Sequence, residues 1–130
     1  MIFFEPQSRD RNIFPHDPFK ALVAPRPIGW ISTVSAAGEL NLAPYSCFNV
    51  FSSQPPIVGF SSEGDKDSSK DIDGRDSGRR LVLGRVVGIY VDERFVRKGR
   101  VDSAAMRPIA RGGYDEYNVV EQVFSMPRPA

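Results

Sequence analysis

The sequence has almost none of the side chains from which disulfides and metal sites are built. It contains one cysteine, Cys47, and one histidine, His16, in 130 residues. A single cysteine excludes an internal disulfide and a zinc site made of paired cysteines. A single histidine leaves no histidine-based cluster, so we expect no metal site. The chain also lacks a phosphate-binding loop motif and a Gly-x-Gly-x-x-Gly sequence, which argues against dinucleotide binding on a Rossmann fold.

Charge of one sign and long apolar runs are lacking as well. Seventeen Lys and Arg stand against sixteen Asp and Glu, a net charge of +1, which argues against a protein built to bind nucleic acid or an anionic membrane. No run approaches the roughly twenty apolar residues of a membrane span, and the apolar start is too short for a signal peptide. We therefore expect a cytoplasmic protein with neither nucleic acid nor membrane as a partner.

The chain is rich in residues that interrupt secondary structure. Its length predicts a single domain over residues 1–130, and eleven glycines and eleven prolines favour short strands and turns over long helices. Four or five closely spaced strands indicate a mainly β, antiparallel barrel or sandwich. Extended segments are predicted over residues 28–35, 40–51, 57–61, 81–91 and 117–124, with a hairpin turn at Gly38 and helical turns over 17–23 and 102–106, capped by Asp17 and Asp102.

Two segments depart from this strand pattern. Residues 1–17 are predicted to form an irregular, proline-containing arm. Residues 63–80 form a charged loop in which Ile72 is the one large apolar residue, a composition typical of a solvated connection. A structureless connection of this length inside a compact domain usually indicates function, disorder or missing structure.

Small polar side chains are concentrated around the first three strands, near the aromatic residues Trp30, Phe48 and Phe60. Taken singly, each is most simply a turn or solvent-facing residue. Together they would suit a planar ligand with polar edges and an anionic tail, because apolar walls contact its faces while hydroxyl groups and cations bind the anion. The polar residues are Ser32, Thr33, Asn41, Tyr45, Ser46, Asn49, Ser52, Ser53, Ser61, Ser62, Lys66 and Ser68.

Three consecutive segments resemble a known family. Residues 24–35 read APRPIGWISTVS, residues 38–49 read GELNLAPYSCFN, and residues 55–62 read PPIVGFSS, followed by a Lys-Asp-Ser sequence at 66–68. In this order and spacing they resemble the flavin reductase-like family. The resemblance implies an FMN-binding split β-barrel, usually a homodimer, in which a hydride passes from NADH or NADPH to the flavin.

The resemblance also implies a set of FMN-binding residues. The strand from Ala43 to Phe48 would lie along the edge of the isoalloxazine ring, through backbone groups and the Ser46 hydroxyl. Pro44 independently predicts a bulge or an edge, because proline cannot donate a hydrogen bond to a neighbouring strand. No catalytic acid or base is predicted, because the flavin supplies the redox chemistry. The ring-edge set is Ala43, Pro44, Tyr45, Ser46 and Phe48, and the phosphate set is Ser61, Ser62, Lys66 and Ser68, with Arg26 and Ser32 as further candidates.

The sequence departs from the family after Ile72. The family continues into further strands, whereas here residues 73–80 lead directly to the closing strand, which implies an internal deletion and an incomplete barrel. Residues 73–80 would then bridge a gap without packing, and apolar surface around Ile57, Phe60 and Val86 would favour a homodimer. A non-catalytic FMN-binding or dimerisation module, and an inactive truncated member of the family, are the alternatives to an active reductase.

Overall fold

The computed structural model describes residues 2–63 and 78–127. Within these ranges the chain is mainly β, and its strands form four small antiparallel sheets with single-turn helices between them. The predicted fold class, an antiparallel β fold with short helical turns, is confirmed. The elements are β1 Arg26–Pro27, β2 Gly29–Val34, β3 Leu40–Tyr45, β4 Phe48–Ser53, β5 Pro56–Glu63, β6 Arg79–Arg85, β7 Val96–Arg97, β8 Arg100–Val101, β9 Ile109–Arg111, β10 Tyr117–Val119, α1 Phe19–Leu22 and α2 Ser103–Met106.

Strands β2 and β3 form the predicted hairpin. Gly38 adopts a φ of 84° in its turn, a conformation that glycine reaches without a steric penalty. Pairing runs without interruption from Gly29 opposite Tyr45 to Val34 opposite Leu40, so Pro44 does not create a bulge. Proline is tolerated in β3 because β3 is an edge strand of a two-stranded sheet.

The predicted strand over residues 40–51 is two strands in different sheets. Strand β3 ends at Tyr45, Ser46 and Cys47 form a corner, and β4 pairs with β5 instead of β2. The backbone N–H of Ser61 donates to the carbonyl oxygen of Cys47 at 3.0 Å. This bond fixes the corner against β5, so the side chains of the corner lie where the hairpin β2–β3 meets the sheet that contains β4 and β5.

Strand β5 is the centre of the sheet β4–β5–β6. It carries the buried Phe60, which is 6% exposed, and the buried Ser62, which is 2% exposed. The ring of Phe60 packs against the buried ring of Tyr45, with 4.4 Å between the two ring centroids. With Ala110 of β9, these two aromatic residues form the buried hydrophobic core of the described ranges.

Several predicted boundaries shift in the structure. Glu63 belongs to β5 and residues 79–80 belong to β6, so the predicted charged loop is shorter than 63–80. The expectation that residues 73–80 do not pack is wrong for Arg79 and Arg80, which pair with β5. Residues 64–77, which include positions 73–77 of the predicted bridge, lie outside the described residues. The predicted strands 81–91 and 117–124 end early, at Arg85 and Val119.

The apolar surface lies elsewhere than predicted. Phe60 is buried, and Ile57 and Val86 are partly buried. Exposed apolar residues occur in many parts of the described chain, and three of them, Trp30, Leu40 and Leu42, share the outward side of the hairpin, where they are 67%, 82% and 60% exposed. The hairpin therefore presents an apolar face that the strand pattern alone did not locate.

The second helical turn is capped by Asp102 as the sequence predicts, whereas α1 begins one residue later than predicted, with Pro18 in place of Asp17 as its N-cap. An Asp17 carboxylate oxygen accepts a hydrogen bond from the N–H of Phe19 at 3.0 Å, and an Asp102 carboxylate oxygen accepts from the N–H of Ala105 at 3.0 Å. These bonds satisfy backbone N–H groups that have no partner within the helix. No helix within residues 2–63 and 78–127 combines the length and apolar character that crossing a membrane requires.

Arg26 joins α1 to the sheet β1–β9–β10. Its Nη1 donates to the carbonyl oxygens of Lys20 and, at 2.8 Å, of Val23, and its Nη2 donates to the carbonyl oxygen of Gly112 at 2.8 Å. The side chain is 9% exposed. These three carbonyl oxygens satisfy the two Nη groups of the buried guanidinium and make Arg26 a fixed link between the N-terminal helix and the turn after β9, while its buried Nε has no hydrogen-bond partner within the described residues.

Candidate functional site

Two adjoining cavities meet at the corner between β3 and β4. The small cavity has a volume of about 280 Å³ and lies between α1, the corner and β5. The large cavity has a volume of about 700 Å³ and lies between β2, β3, β9 and β10. Pro44 and Ser46 line both cavities. The corner therefore separates two spaces, each of which is formed by a different part of the fold.

The large cavity has mainly apolar walls. Its lining includes Ile28 and Trp30 from the start of the hairpin, and Ile109, Tyr117 and Val119 from β9 and β10. Its volume lies within the roughly 300–1,000 Å³ that is usual for ligand sites. Such walls favour a flat, apolar ligand surface.

Arg111 is the charged side chain in the lining of the large cavity. Its guanidinium donates to the Tyr117 hydroxyl and the Tyr114 carbonyl oxygen, and one nitrogen lies 3.2 Å from an Asp115 carboxylate oxygen. Its central carbon also lies 4.5 Å from the centre of the Tyr117 ring. These contacts hold the guanidinium plane in position, so Arg111 offers an oriented polar group within an apolar wall.

The small cavity is polar. Its lining includes the hydroxyl-bearing residues Ser46 and Ser61, together with Lys20 of α1 and Glu63 of β5. The Lys20 Nζ lies 3.6 Å from a Glu63 carboxylate oxygen, and both side chains are more than half exposed. Hydroxyl groups and an ammonium group are donors that suit a phosphate or a carboxylate.

The structure brings together four residues that the sequence assigned to the ligand. Pro44, Tyr45, Ser46 and Ser61 all line the small cavity. Ser62 follows directly on β5 and is buried. Two segments on either side of β4, the corner and β5, thus supply one site.

The structure also shows the surroundings of three other predicted residues, Phe48, Ala43 and Ser32. Phe48 packs against Gly29, where an added Cβ would lie 2.6 Å from its ring. Ala43 is partly buried within the hairpin, opposite Ile31. Ser32 is exposed on β2 and is in the lining of neither cavity.

The remaining residues of the predicted set are Arg26, Lys66 and Ser68. Arg26 donates to three backbone carbonyls of its own chain and is in the lining of neither cavity. Lys66 and Ser68 lie outside the described residues and remain predictions.

Sequence reasoning missed Lys20, Glu63 and Arg111. Lys20 and Glu63 are 43 positions apart in sequence, and no local spacing indicates that they meet. The signal that could have found Lys20 is its place in a short helical turn just before the APRPIGW segment. That position indicates a place in the cavity lining only when the fold shows that the helical turn lies beside the corner.

Comparison with curated proteins gives relatives without an assigned activity. An uncharacterised protein from Aquifex aeolicus is 53% identical over 51 residues, which is 38% of this chain and 26% of that protein. Uncharacterised proteins from Halalkalibacterium halodurans and Bacillus subtilis are 37% and 33% identical, over 66% and 71% of this chain and 40% and 44% of their own lengths. The chain therefore spans less than half the length of each of these relatives. No family model matches the sequence.

Solved structures show the fold. Nitrilotriacetate monooxygenase component B from Bacillus cereus matches with a TM-score of 0.81 and 19% identity, over 97% of this chain and 98% of that chain. The 2-nitrobenzoate 2-nitroreductase of Pseudomonas fluorescens matches with a TM-score of 0.74 and 20% identity, over 85% and 88%. A Shewanella frigidimarina protein described as a flavin reductase with a split barrel domain matches with a TM-score of 0.66 and 18% identity, over 85% and 90%. The chain has the split β-barrel fold of flavin reductase-like proteins.

Proposed function

We propose that the protein binds FMN at the corner between β3 and β4 and passes a hydride from NADH or NADPH to the flavin. The observation that carries this proposal is the convergence of Pro44, Tyr45, Ser46 and Ser61 on adjoining cavities of different chemistry. The apolar large cavity suits the flat isoalloxazine ring, and the polar small cavity suits the phosphate tail. The fold shared with flavin reductase-like proteins supports the same assignment.

The residues of the corner would bind and orient the cofactor. The Ser46 hydroxyl and the backbone from Ala43 to Phe48 would lie along the ring edge, and Trp30 would cover part of the apolar wall. Ser61, Ser62, Lys66 and Ser68 would hold the phosphate. When bound, FMN supplies the hydride chemistry, and the protein contributes position and shelter from water.

The first experiment is to purify the chain and record its visible absorbance, with and without added FMN. Retention of FMN together with steady oxidation of NADH or NADPH would support the reductase. Retention without oxidation would instead support a non-catalytic FMN-binding module. Failure to retain FMN would point to an inactive member of the fold.

Lys66→Ala tests the phosphate end of the proposed site. A charge-assisted hydrogen bond contributes roughly 1.5 to 3 kcal/mol, so the variant should bind FMN about ten- to a hundredfold more weakly. Riboflavin lacks the phosphate, and its affinity should hardly change. Equal losses for both ligands, measured by titration, would contradict the assignment of Lys66 to the phosphate.

We also propose that the protein is a homodimer, within a single domain over residues 1–130 and in the cytoplasm. The apolar outward face of the hairpin, with Trp30, Leu40 and Leu42, is a surface that a second copy would cover. A monodisperse monomer in sedimentation at micromolar concentration would contradict this proposal.

A further inference from the structure

Lys20 is a cation of the small cavity that the resemblance did not assign. Its backbone is fixed from two sides. Its own carbonyl oxygen accepts a hydrogen bond from Arg26, which also binds the carbonyl of Gly112 at 2.8 Å. The next residue, Ala21, packs so closely on Gly113 that an added Cβ on that glycine would lie 2.6 Å from the Ala21 Cβ. Lys20 therefore projects from a helix whose position is determined by the fold.

The present partner of Lys20 is easily replaced. The Lys20 Nζ lies 3.6 Å from the Glu63 carboxylate, with the two side chains 56% and 60% exposed. Exposed ion pairs at such distances contribute little to stability. Glu63 also stands opposite Arg79 in the pairing of β5 with β6, so it has another cationic neighbour when Lys20 turns away.

The surroundings of Lys20 suit an anion more than any other ligand group. The same cavity includes Ser46 and Ser61, whose hydroxyl groups can donate to phosphate oxygens. Glu63 repels an anion, and only a cation beside it can offset that repulsion. Lys20, which is in the lining of this cavity beside Glu63, is such a cation.

We propose that Lys20 binds the phosphate of FMN and that Glu63 is its counter-ion in the ligand-free protein. The inference rests on the proposed function, because it places the tail of the same ligand. Binding exchanges one partner of Lys20 for another and leaves Glu63 as a negative charge beside the phosphate. Lys20 thus favours the phosphorylated flavin over riboflavin, and Glu63 limits that preference.

The test is titration of the full chain with FMN and with riboflavin. Lys20→Gln should weaken FMN binding about tenfold, because it removes one charge-assisted contact, and should leave riboflavin within about twofold. Lys20→Arg keeps the charge and should recover most of the FMN affinity. Glu63→Gln removes the repulsion and should strengthen FMN binding about threefold.

Lys98→Asn is the matched control. Lys98 lies in the turn between β7 and β8, outside the lining of both cavities, and its φ of 50° is one that asparagine tolerates. This variant removes the same charge and should bind both flavins as the unaltered chain does. A loss equal to that of Lys20→Gln would mean that net charge alone is responsible, and would overturn the inference.

Two further results would overturn the inference while leaving the proposed function in place. Unchanged FMN binding by Lys20→Gln would show that Lys20 does not contact the phosphate. Equal losses of FMN and riboflavin, without recovery by Lys20→Arg, would show that Lys20 supports the local structure only. If the unaltered chain binds neither flavin, the proposed function itself fails, and this inference fails with it.

Discussion

The sheet β4–β5–β6 and the hairpin β2–β3 are built from similar strands but differ in how far their apolar side chains are buried. In the sheet, β5 has a neighbour on each side and carries the buried Phe60. In the hairpin, both strands are edges, and Trp30 and Leu42 remain largely exposed on the outward side. The comparison shows that apolar side chains are buried where neighbouring strands cover them. The apolar side chains of the hairpin stay exposed, where a ligand or another chain can contact them.

Phe60→Ala should give the largest loss of stability. The substitution removes a buried ring in contact with Tyr45, and truncation of a buried phenylalanine typically costs about 3–5 kcal/mol. Leu42→Ala is the hairpin counterpart, and at 60% exposure it should change stability by about 0.5 kcal/mol or less. Urea unfolding followed by circular dichroism measures both. Similar losses for the two variants would mean that the hairpin face is covered in solution.

Alanine at three glycines should rank the two regions by how tightly they pack. A Cβ at Gly59 of β5 would lie 2.8 Å from the Val82 carbonyl oxygen and 2.6 Å from a Leu83 methyl group. Because a backbone carbonyl in a paired strand cannot move aside, Gly59→Ala should cost about 1–3 kcal/mol.

Gly29→Ala is the hairpin counterpart and should cost less, because the three atoms nearest to its added Cβ all belong to the Phe48 side chain and none to the backbone. Gly84→Ala is the control, since nothing lies within 4 Å of its added Cβ. Melting temperatures compare the three. A Gly84 variant as unstable as the Gly59 variant would show that strand backbone entropy, and not packing, sets the cost.

Hydrogen exchange should distinguish the regions without any substitution. Amides of β5 face a strand on both sides, whereas amides of β3 have only β2 as a partner. Strands with fewer buried contacts open locally more easily, so we expect β3 amides to exchange about tenfold faster or more. Mass spectrometry or NMR under native conditions measures the rates. Equal protection would mean that the hairpin edge is paired or covered in solution.

The smallest effect is expected at a site outside both regions. Arg94 donates side-chain hydrogen bonds of 2.6 to 3.1 Å to the Asp92 carboxylate, and these bonds, followed by the Arg94 backbone N–H, lower the pKa of Asp92 below its ordinary value of 3.8. A lowered pKa stabilises the folded chain above that value, and the contribution is lost as the pH falls through the lowered pKa. Arg94→Gln should raise the pKa of Asp92 in an NMR titration. Because the pair lies at the surface, with the Arg94 and Asp92 side chains 80% and 40% exposed, the thermal stability should hardly change, and a clear loss at pH 7 would contradict this.

The sequence allowed the local features to be predicted. The turn at Gly38, the Asp102 cap and the antiparallel β class follow from short-range backbone preferences and alternation, and the structure has all three. The corner at residues 46–47 was missed because it contains neither glycine nor proline, so its composition is that of a strand. Residues 86–91 were predicted to continue β6 because they are apolar and β-branched. Strand propensity describes a preference for a half-buried sheet surface, and Val87 and Tyr90 remain almost fully exposed.

The candidate site was predictable only in part. The resemblance located Pro44, Ser46 and Ser61, which meet at the small cavity. It did not locate Lys20 or Arg111, because their positions depend on contacts between distant parts of the chain. The hairpin has apolar residues on both of its sides, so the sequence also could not indicate which side faces outward.

The hydrogen bond between Arg26 and Gly112 has a consequence for how the protein is made. The two residues are 86 positions apart, so a ribosome delivers the guanidinium long before the Gly112 carbonyl oxygen that accepts from its Nη2. Until Gly112 has left the exit tunnel, Arg26 gains more from water than from burial, and α1 stays unattached to the rest of the fold. The Lys20 side of the small cavity is therefore fixed in place only after residue 112 has been synthesised. A nascent chain stopped before residue 112 would contain the corner and β5, but it would lack the Arg26–Gly112 bond that holds α1, and with it Lys20, in position.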